Sequence, residues 1–205
     1  MQKLNLSKNE HSTNKLNKKK QASILMALLP LSACGGGGGS PTEDGTPVIP
    51  QAEFVESPAG VFIALDSQNT TLDQGDATTD LTVTGKDGND SIYTGEGTDV
   101  INGAGGADKI RAGAGADTVN AGAGNDAIVV IGTTTASQYA NADITNAGNG
   151  VNLSSIISLA DLNGRSVSEV SAGDTIDGGT GTNTLFIYGN VDLTGVTISK
   201  IGRAH

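Results

Sequence analysis

The sequence has almost nothing from which to build an aromatic or disulfide-stabilised core. Aromatic residues make up 3% of the 205 residues, tryptophan is absent, and the single cysteine excludes an internal disulfide. Only two histidines occur, His11 near the start and His205 at the end, and the HExxH and GxSxG motifs are absent. A catalytic triad needs a histidine in the folded body, so we expect these residues to form no enzyme.

Positive charge is scarce outside the N-terminus. The formal net charge is −10. Six of the 12 Lys and Arg residues fall in the first 20 positions, and from Cys34 onward 21 acidic residues face 6 basic ones, a net charge of −15. An acidic body argues against nucleic acid as a partner and suits a cation. A small domain with neither a large aromatic core nor disulfides needs another stabiliser, and a bound metal is a usual one.

The first 33 residues have the composition of a targeting segment. A Lys-rich start leads into the apolar run ASILMALLPLSA, which is too short to span a bilayer and is typical of a signal peptide. The run ends in Leu31-Ser32-Ala33-Cys34, which resembles the lipobox of bacterial lipoproteins. The resemblance implies that Cys34 is lipid-modified and anchors the chain to a membrane; an ordinary secretory signal with an incidental cysteine is the alternative. Because Gly35 rather than Asp follows the cysteine, the same resemblance implies a location in the outer membrane facing the exterior, or in the extracellular space.

Two short segments separate this signal from the body of the chain. Residues 34–50 are rich in Gly, Ser and Pro, which predicts a flexible tether. Residues 51–84 contain two expected strands, Val61–Leu65 and Leu81–Val83. We interpret them as lead-in strands or a cap.

The body of the chain contains a nine-residue repeat of five units, each reading G-x-D-x-[IV]. The aspartates of the five units are Asp90, Asp99, Asp108, Asp117 and Asp126. The glycines two residues earlier are Gly88, Gly97, Gly106, Gly115 and Gly124, and three units carry a further glycine at Gly95, Gly113 or Gly122. The β-branched residues two positions later are Ile92, Ile101, Ile110, Val119 and Ile128. A flexible linker would not keep an apolar residue in register over five units.

These units resemble the RTX nonapeptide G-G-x-G-x-D-x-U-x of calcium-binding parallel β-rolls. The resemblance covers residues 85–131 and implies an all-β fold, a calcium-stabilised right-handed parallel β-roll, with irregular flanking strands. It further implies that two units form one coil, so that Asp90, Asp108 and Asp126 share one edge while Asp99 and Asp117 share the other. About three Ca²⁺ sites then lie between stacked loops.

The residue types suit calcium on chemical grounds. Aspartate supplies carboxylate oxygens, and glycine allows the positive φ angles with which a turn can direct several carbonyl oxygens inward. Ca²⁺ takes six to eight oxygen ligands in irregular geometry, and without soft ligands zinc and copper are disfavoured. Asn89 and Asn125 complete the candidate ligand set beside the repeat glycines and aspartates. A metal-free solenoid is the alternative.

The period is lost over residues 132–171, and a second, degenerate block follows at 172–200. Asp174 and Asn183 are nine residues apart there, with Gly179 and Gly181 in the turn. This block is either a weak metal site or a purely structural turn. Asp174 is 48 residues from Asp126, so by numbering the block is out of phase with the first. Residues 201–205, IGRAH, match one translated frame of a common sequencing adapter. We therefore expect the sequence to be truncated near Lys200 and the natural protein to continue.

Calcium binding by an exported, lipid-anchored structural or adhesive module is therefore the function that the sequence predicts. We expect the chain to be largely disordered without calcium. Two alternatives stay open. In the first, the repeats are an accessory roll of a larger secreted enzyme whose catalytic domain lies beyond residue 205. In the second, they form a metal-free solenoid whose flat faces bind ice or glycan.

Overall fold

A computed structural model describes residues 54–64, 67–135, 137–148 and 150–205. Within these ranges all regular structure is β, and no helix is long and apolar enough to cross a membrane. The predicted signal peptide, the lipid attachment at Cys34 and the tether of residues 34–50 lie outside the described residues. They stay predictions, as does the end of the first expected strand at Leu65.

Thirteen short strands lie in the described ranges. In chain order they are β1 Phe54–Glu56, β2 Val61–Ala64, β3 Thr71–Asp73, β4 Thr82–Thr84, β5 Ser91–Glu96, β6 Val100–Asn102, β7 Lys109–Ala114, β8 Thr118–Asn120, β9 Ala127–Ile131, β10 Thr175–Asp177, β11 Thr184–Tyr188, β12 Thr197–Ser199 and β13 Arg203–Ala204. Sheet A has the order β1-β2-β4-β6-β8-β10-β12, and sheet B has the order β13-β11-β9-β7-β5-β3. All neighbours are parallel except β1 and β2, which form an antiparallel pair.

The repeat period sets the pairing of the strands. Ile92 lies beside Ile110 in sheet B, and Ile101 lies beside Val119 in sheet A. Each coil therefore contains two nonapeptides, one strand in each sheet, and the solenoid has about seven coils. The predicted fold class, an all-β parallel β-roll, is confirmed.

The core lies between the two sheets and is built mainly from one inward side chain per three-residue strand, while the longer β9 contributes both Ile128 and Val130. In a three-residue strand only the central side chain points inward, because side chains alternate. The five apolar repeat residues are at most 2% exposed, and Phe62, Leu72, Val83, Ile176 and Leu185 extend the same cluster. Burial of each side chain of this size stabilises the fold by about 1.5–3 kcal/mol.

The lead-in residues are stacked in the same two sheets as the repeats. The two expected strands correspond to β2 and β4, and β3, which was not predicted, pairs with β5. Strand β1 folds back on β2, with Val55 beside Ile63. The antiparallel hairpin thus covers the first parallel strand of sheet A.

The chain leaves the solenoid after β9 and returns to it at β10. Thr175 then pairs with Thr118, and Thr184 pairs with Ala127. Asp174 thereby follows Asp117 in the stack although the two are 57 residues apart. The expectation that the second block is out of phase with the first is therefore wrong, since its strands pair in register with β8 and β9. The residues between the two blocks are looped out, so the spacing in the sequence does not determine the stacking.

The described residues of this excursion, 132–135, 137–148 and 150–173, contribute side chains that pack on the outer face of sheet B. Their side chains form a second apolar cluster with the outward residues of β9 and β11. Its buried members include Ala127, Val129, Ile131, Leu153, Ile156, Ile157, Leu162 and Phe186. Strand β9 is consequently buried on both faces, which explains its unbroken apolar sequence.

A buried arginine fixes this excursion to the roll. Arg111 projects from β7 and is 0% exposed. Its guanidinium lies 2.6 Å from Glu169 Oε1 and 3.3 Å from Asp161 Oδ2, donates to Ile156 O at 3.0 Å, and stacks 4.0 Å above the Tyr93 ring. The ion pair is therefore shielded from water and connects three parts of the excursion to one strand.

Candidate metal centre

Each repeat aspartate is positioned by the stacking of the coils. The N–H of Asp90 donates to Oδ1 of Asp108 at 2.8 Å, and the N–H of Asp108 donates to Oδ1 of Asp126 at 2.9 Å. At the other edge the N–H of Asp99 donates to Oδ1 of Asp117 at 2.9 Å. The five carboxylates, at most 3% exposed, form two columns. The first column holds Asp90, Asp108 and Asp126, and the second column holds Asp99 and Asp117.

Four of these carboxylates have a second oxygen without a partner. These buried Oδ2 atoms, with no hydrogen-bond donor among the described residues, belong to Asp90, Asp99, Asp108 and Asp126. The Thr94 hydroxyl lies beside Asp99, but it gives its single proton to Ala112 O at 2.7 Å. A buried polar atom left unpaired costs about 1–3 kcal/mol, and more when it is charged. Three such atoms lie in the first column and one in the second, and a bound cation would satisfy each of them.

Main-chain carbonyl oxygens face the unpartnered atoms of the first column. A Cβ built on Gly103 would lie 2.4 Å from both Asp108 Oδ2 and Ala121 O. One coil earlier, a Cβ on Gly85 would lie 2.6 Å from Asp90 Oδ2 and 2.4 Å from Gly103 O. In each case a carboxylate oxygen and a carbonyl oxygen lie about equally far from one position. They are close enough to bind the same ion, because Ca²⁺–oxygen bonds measure about 2.4 Å. Glycine at this first position of the unit leaves that space open.

The turn glycines are needed because the coils stack directly on them. A Cβ on Gly115 would lie 1.5 Å from Gly97 O, and one on Gly124 would lie 1.6 Å from Gly106 O. Gly115 and Gly124 also have φ angles of +140° and +146°, which residues with side chains rarely adopt. Positive φ recurs at Gly95, Gly97, Gly106, Gly113, Gly122, Gly179 and Gly181. Gly88 is the exception among the predicted glycines.

Asn89 and Asn125 lie away from the columns. Asn89 Oδ1 accepts a hydrogen bond from Ala107 N at 2.6 Å, and Asn125 Oδ1 accepts one from Thr182 N at 2.8 Å. Both side chains are exposed. They connect neighbouring coils at the outer edge of the turns, so the ligand set proposed below leaves them out.

The second block continues both columns. The N–H of Asp117 donates to Oδ1 of Asp174 at 2.9 Å, and the N–H of Asp126 donates to Oδ1 of Asn183 at 3.0 Å. Unlike the four aspartates above, Asp174 has a partner for its second oxygen, since Oδ2 accepts from Ser171 N at 2.9 Å. The first column therefore ends in Asn183, and the second column ends in Asp174.

Burial makes the charged forms of these carboxylates unfavourable. Loss of solvation raises the pKa of Asp108 to about 8; the hydrogen bond from Asp90 N opposes this rise, and the charges of Asp126 and Asp90 add to it. Burial also raises the pKa of Asp117 to about 7. The pKa values of Asp99 and Asp126 are raised chiefly by the same loss of solvation. A bound cation or a proton would relieve this cost.

The metal-free roll should accordingly be more ordered in mild acid. The folded pKa values of Asp108 and Asp117 lie above the unfolded value of about 3.9. Their stabilising contribution is therefore complete below about pH 4 and is lost as the pH rises to about 7–8. We expect a larger β signal by circular dichroism in EDTA at pH 5 than at pH 8.5, and no such difference in excess calcium. Equal signals in EDTA at the two pH values would contradict this account.

Fold and geometry together define a parallel β-solenoid with two buried columns of carboxylates, the first of which faces main-chain carbonyl oxygens. The family model of the RTX calcium-binding nonapeptide repeat (4 copies) matches residues 82–110, 102–129 and 171–186. A search of curated proteins finds no match, and neither does a search of solved structures. The chain thus carries RTX repeats, which in general bind calcium. The third matched range contains Asp174 and Asn183, which are the last members of the two columns.

Sequence reasoning predicted that turn carbonyl oxygens accompany the aspartates, but it did not identify which ones, such as Ala121 O beside Asp108. Gly85 and Gly103 hold the first consensus position of their units, so the doubled glycine of the consensus was the available signal. Within the described ranges, no three His, Cys, Asp or Glu side chains converge as a metal cluster does. At Asp90 and at Asp108 the candidate site instead combines one carboxylate with main-chain oxygens, which a count of side chains does not reveal.

Proposed function

We propose that the chain binds four Ca²⁺ ions, one at each unpartnered carboxylate oxygen. Three of these sites lie between the loops that the sequence predicted: those of Asp90 and Asp108, of Asp108 and Asp126, and of Asp99 and Asp117. The fourth lies between the loop of Asp126 and that of Asn183, because the second block extends the first column by one coil.

One observation carries this proposal. Oδ2 of Asp108 is buried, lacks a donor among the described residues and lies beside Ala121 O. Two electron-rich oxygens directed at one another repel unless a positive group lies between them. The same environment recurs one coil earlier at Asp90 and Gly103. Repetition along the stack indicates a periodic ligand rather than a local irregularity.

The donor set favours calcium over other metals. The donors in the two columns are oxygens from carboxylates and main-chain carbonyls, which suit hard cations. Turn carbonyls set by glycine conformation give an irregular cage, which Ca²⁺ accepts. Mg²⁺ needs near-octahedral geometry and retains several waters, for which these closely stacked turns leave little room.

Calcium would act as a structural component of this roll. Stacked carboxylates lie about 5 Å apart and repel by roughly 1–3 kcal/mol per pair at effective dielectric constants of 80 to 20. An ion that binds only the folded chain removes this repulsion, and its binding energy becomes folding energy. The RTX β-roll is a structural calcium-binding domain rather than a catalytic one, which fits this role.

We further propose that the roll is an exported structural or adhesive module held at the outer membrane by lipid on Cys34. RTX proteins are typically secreted or extracellular, which supports export. The lipobox-like ending of the apolar run and the Gly-rich stretch after it support an anchor and a tether. Calcium outside the cell would then complete folding after export.

Calcium titration of the full chain tests the proposal. After treatment with EDTA, far-UV circular dichroism should show a cooperative gain of β signal with Ca²⁺ and no such gain with equal Mg²⁺. Equilibrium dialysis should count four ions per chain. A β signal already complete in EDTA, together with no bound calcium, would overturn the proposal in favour of a metal-free solenoid.

A matched pair of variants tests whether calcium-dependent folding requires the carboxylates of the columns. Asp108→Ala removes a buried carboxylate and both of its acceptor oxygens, and we expect it to lose one ion and to raise the calcium midpoint by about tenfold or more, the equivalent of about 1.4 kcal/mol. Asp87→Ala makes the same change at an exposed position of the neighbouring turn. It should leave both the ion count and the midpoint unchanged.

A further inference from the structure

Asn183 takes the place of an aspartate at the end of the first column. It follows Asp126 in the stack and is 0% exposed. Its Oδ1 accepts a hydrogen bond from Asp126 N at 3.0 Å, just as Oδ1 of each earlier aspartate accepts one from the residue a coil before it. Its main-chain contacts thus reproduce those of a repeat aspartate.

The second side-chain atom of Asn183 behaves differently. Nδ2 donates hydrogen bonds to Gly178 O and to Lys200 O, the latter at 3.2 Å. The orientation of the amide is fixed by its surroundings: a main-chain N–H faces one side of the amide group, and two carbonyl oxygens face the other side. The carbonyl oxygens of this last coil therefore have a donor from the chain itself.

These two carbonyl groups are equivalent to the ones beside the unpartnered carboxylates. Gly178 and Lys200 hold the first positions of successive coils, as Gly103 and Ala121 do around Asp108. A Cβ on Gly178 would lie 2.9 Å from Nδ2 of the asparagine and 2.4 Å from the carbonyl oxygen one coil later. In the earlier coils a carboxylate Oδ2 lies beside main-chain carbonyl oxygens at this position. Here the amide NH₂ of Asn183 takes the place of that Oδ2.

We propose that Asn183 is a built-in substitute for a calcium ion and ends the first column without metal. The inference rests on the proposed calcium function and adds to it the residue that limits the number of sites. Where an aspartate requires a cation to join its Oδ2 to the carbonyl oxygens, the amide joins them through its own hydrogen atoms. In the second column the terminal Asp174 is also satisfied from within, by Ser171 N.

The substitution Asn183→Asp should convert this closed position into an additional calcium site. The new carboxylate keeps the Oδ1 acceptor for Asp126 N but turns a second oxygen toward Gly178 O and Lys200 O. Asn125→Asp is the matched control, because it adds the same charge one coil away on an exposed side chain whose acceptor role is also kept.

Equilibrium dialysis of the full-length wild type and both variants against ⁴⁵Ca²⁺ tests the proposal. We expect Asn183→Asp to bind one ion more than the wild type, and Asn125→Asp to bind the same number. Equal ion counts in Asn183→Asp and a calcium-binding wild type would overturn the substitute role and leave the calcium function standing. A wild type that binds no calcium would overturn both.

A second pair of variants covers the case in which Asn183→Asp does not fold. Asp126→Asn and Asp126→Ala both delete one carboxylate, but only the asparagine offers an NH₂ to the neighbouring carbonyl oxygens. Both should lose one ion, and Asp126→Asn should fold at about tenfold lower calcium than Asp126→Ala by circular dichroism. Identical calcium midpoints would show that an amide does not replace the ion.

Discussion

Replacing Gly115 with alanine should unfold most of the roll even in excess calcium. The added Cβ would lie 1.5 Å from Gly97 O, and the φ of +140° is one that alanine rarely adopts. Because Gly97 N also bonds to Ala114 O, the two coils cannot move apart without losing main-chain hydrogen bonds. We expect a loss of more than about 4 kcal/mol in the free energy of unfolding, beyond the range of ordinary overpacking.

The matched control is Gly105→Ala in the preceding nonapeptide. Gly105 has no positive φ, and a Cβ there would meet first the mobile carboxylate of Asp87 at 3.0 Å. Ala114 and Ala123 already hold the equivalent position in later units. Denaturant unfolding in saturating calcium should place this variant within about 0.5 kcal/mol of the wild type. A Gly115→Ala variant of similar stability would contradict the close stacking of the turns.

Replacing Arg111 with methionine should release residues 132–173 from the roll. The substitution leaves Glu169, 2% exposed, without its closest partner and removes the hydrogen bond to Ile156 O. Breaking a buried ion pair from one side costs about 3–5 kcal/mol. Thermal unfolding in saturating calcium should show a lower midpoint, and limited proteolysis should cut residues 137–164 far faster than in the wild type.

Two further variants separate the buried pair from general charge effects. Arg165 also contacts Glu169, at 2.9 Å, but its side chain is 25% exposed, so Arg165→Ala should cost only about 1 kcal/mol or less. The double variant Arg111→Met with Glu169→Met removes both buried charges and should recover much of the lost stability. Equal effects of Arg111→Met and Arg165→Ala would argue against a special role for the buried pair.

The repeat region could be predicted from sequence because its information is local. A glycine, an aspartate and a β-branched residue at fixed spacing determine the turn, the column and the core of each unit. The predicted inward residues, such as Ile101 and Ile110, are indeed fully buried. The family resemblance then supplied the pairing of every second unit, which the period alone does not contain.

The position of the second block could not be predicted in the same way. Its return to the stack beside β8 and β9 depends on how a long excursion folds, and numbering along the chain does not measure distance in space. One signal was available. The unbroken apolar runs AIVVI and LFIY of β9 and β11 exceed the single inward residue of a nonapeptide strand, which indicates that something covers their outer face.

The asparagines show a third limit of sequence reasoning. Asn89, Asn125 and Asn183 have the same side chain, yet two of them lie exposed at the outer edge and one is buried in the column. Their roles follow from the position within the nonapeptide: the fifth residue faces outward and the sixth faces inward. Composition therefore suggested oxygen ligands, whereas the geometry shows hydrogen bonds to the main chain.

The coil at Asn183, which needs no metal ion at its column position, also affects the order of folding. In a stack where each coil contacts only its neighbours, folding spreads from the most stable coil. Here the coils nearest Asp174 and Asn183 require the least metal, so we expect order to begin there and to proceed toward Asp90 as ions bind. The coils that fold first are therefore synthesised after the five repeats. We expect the roll to begin folding only when all five repeats have been made.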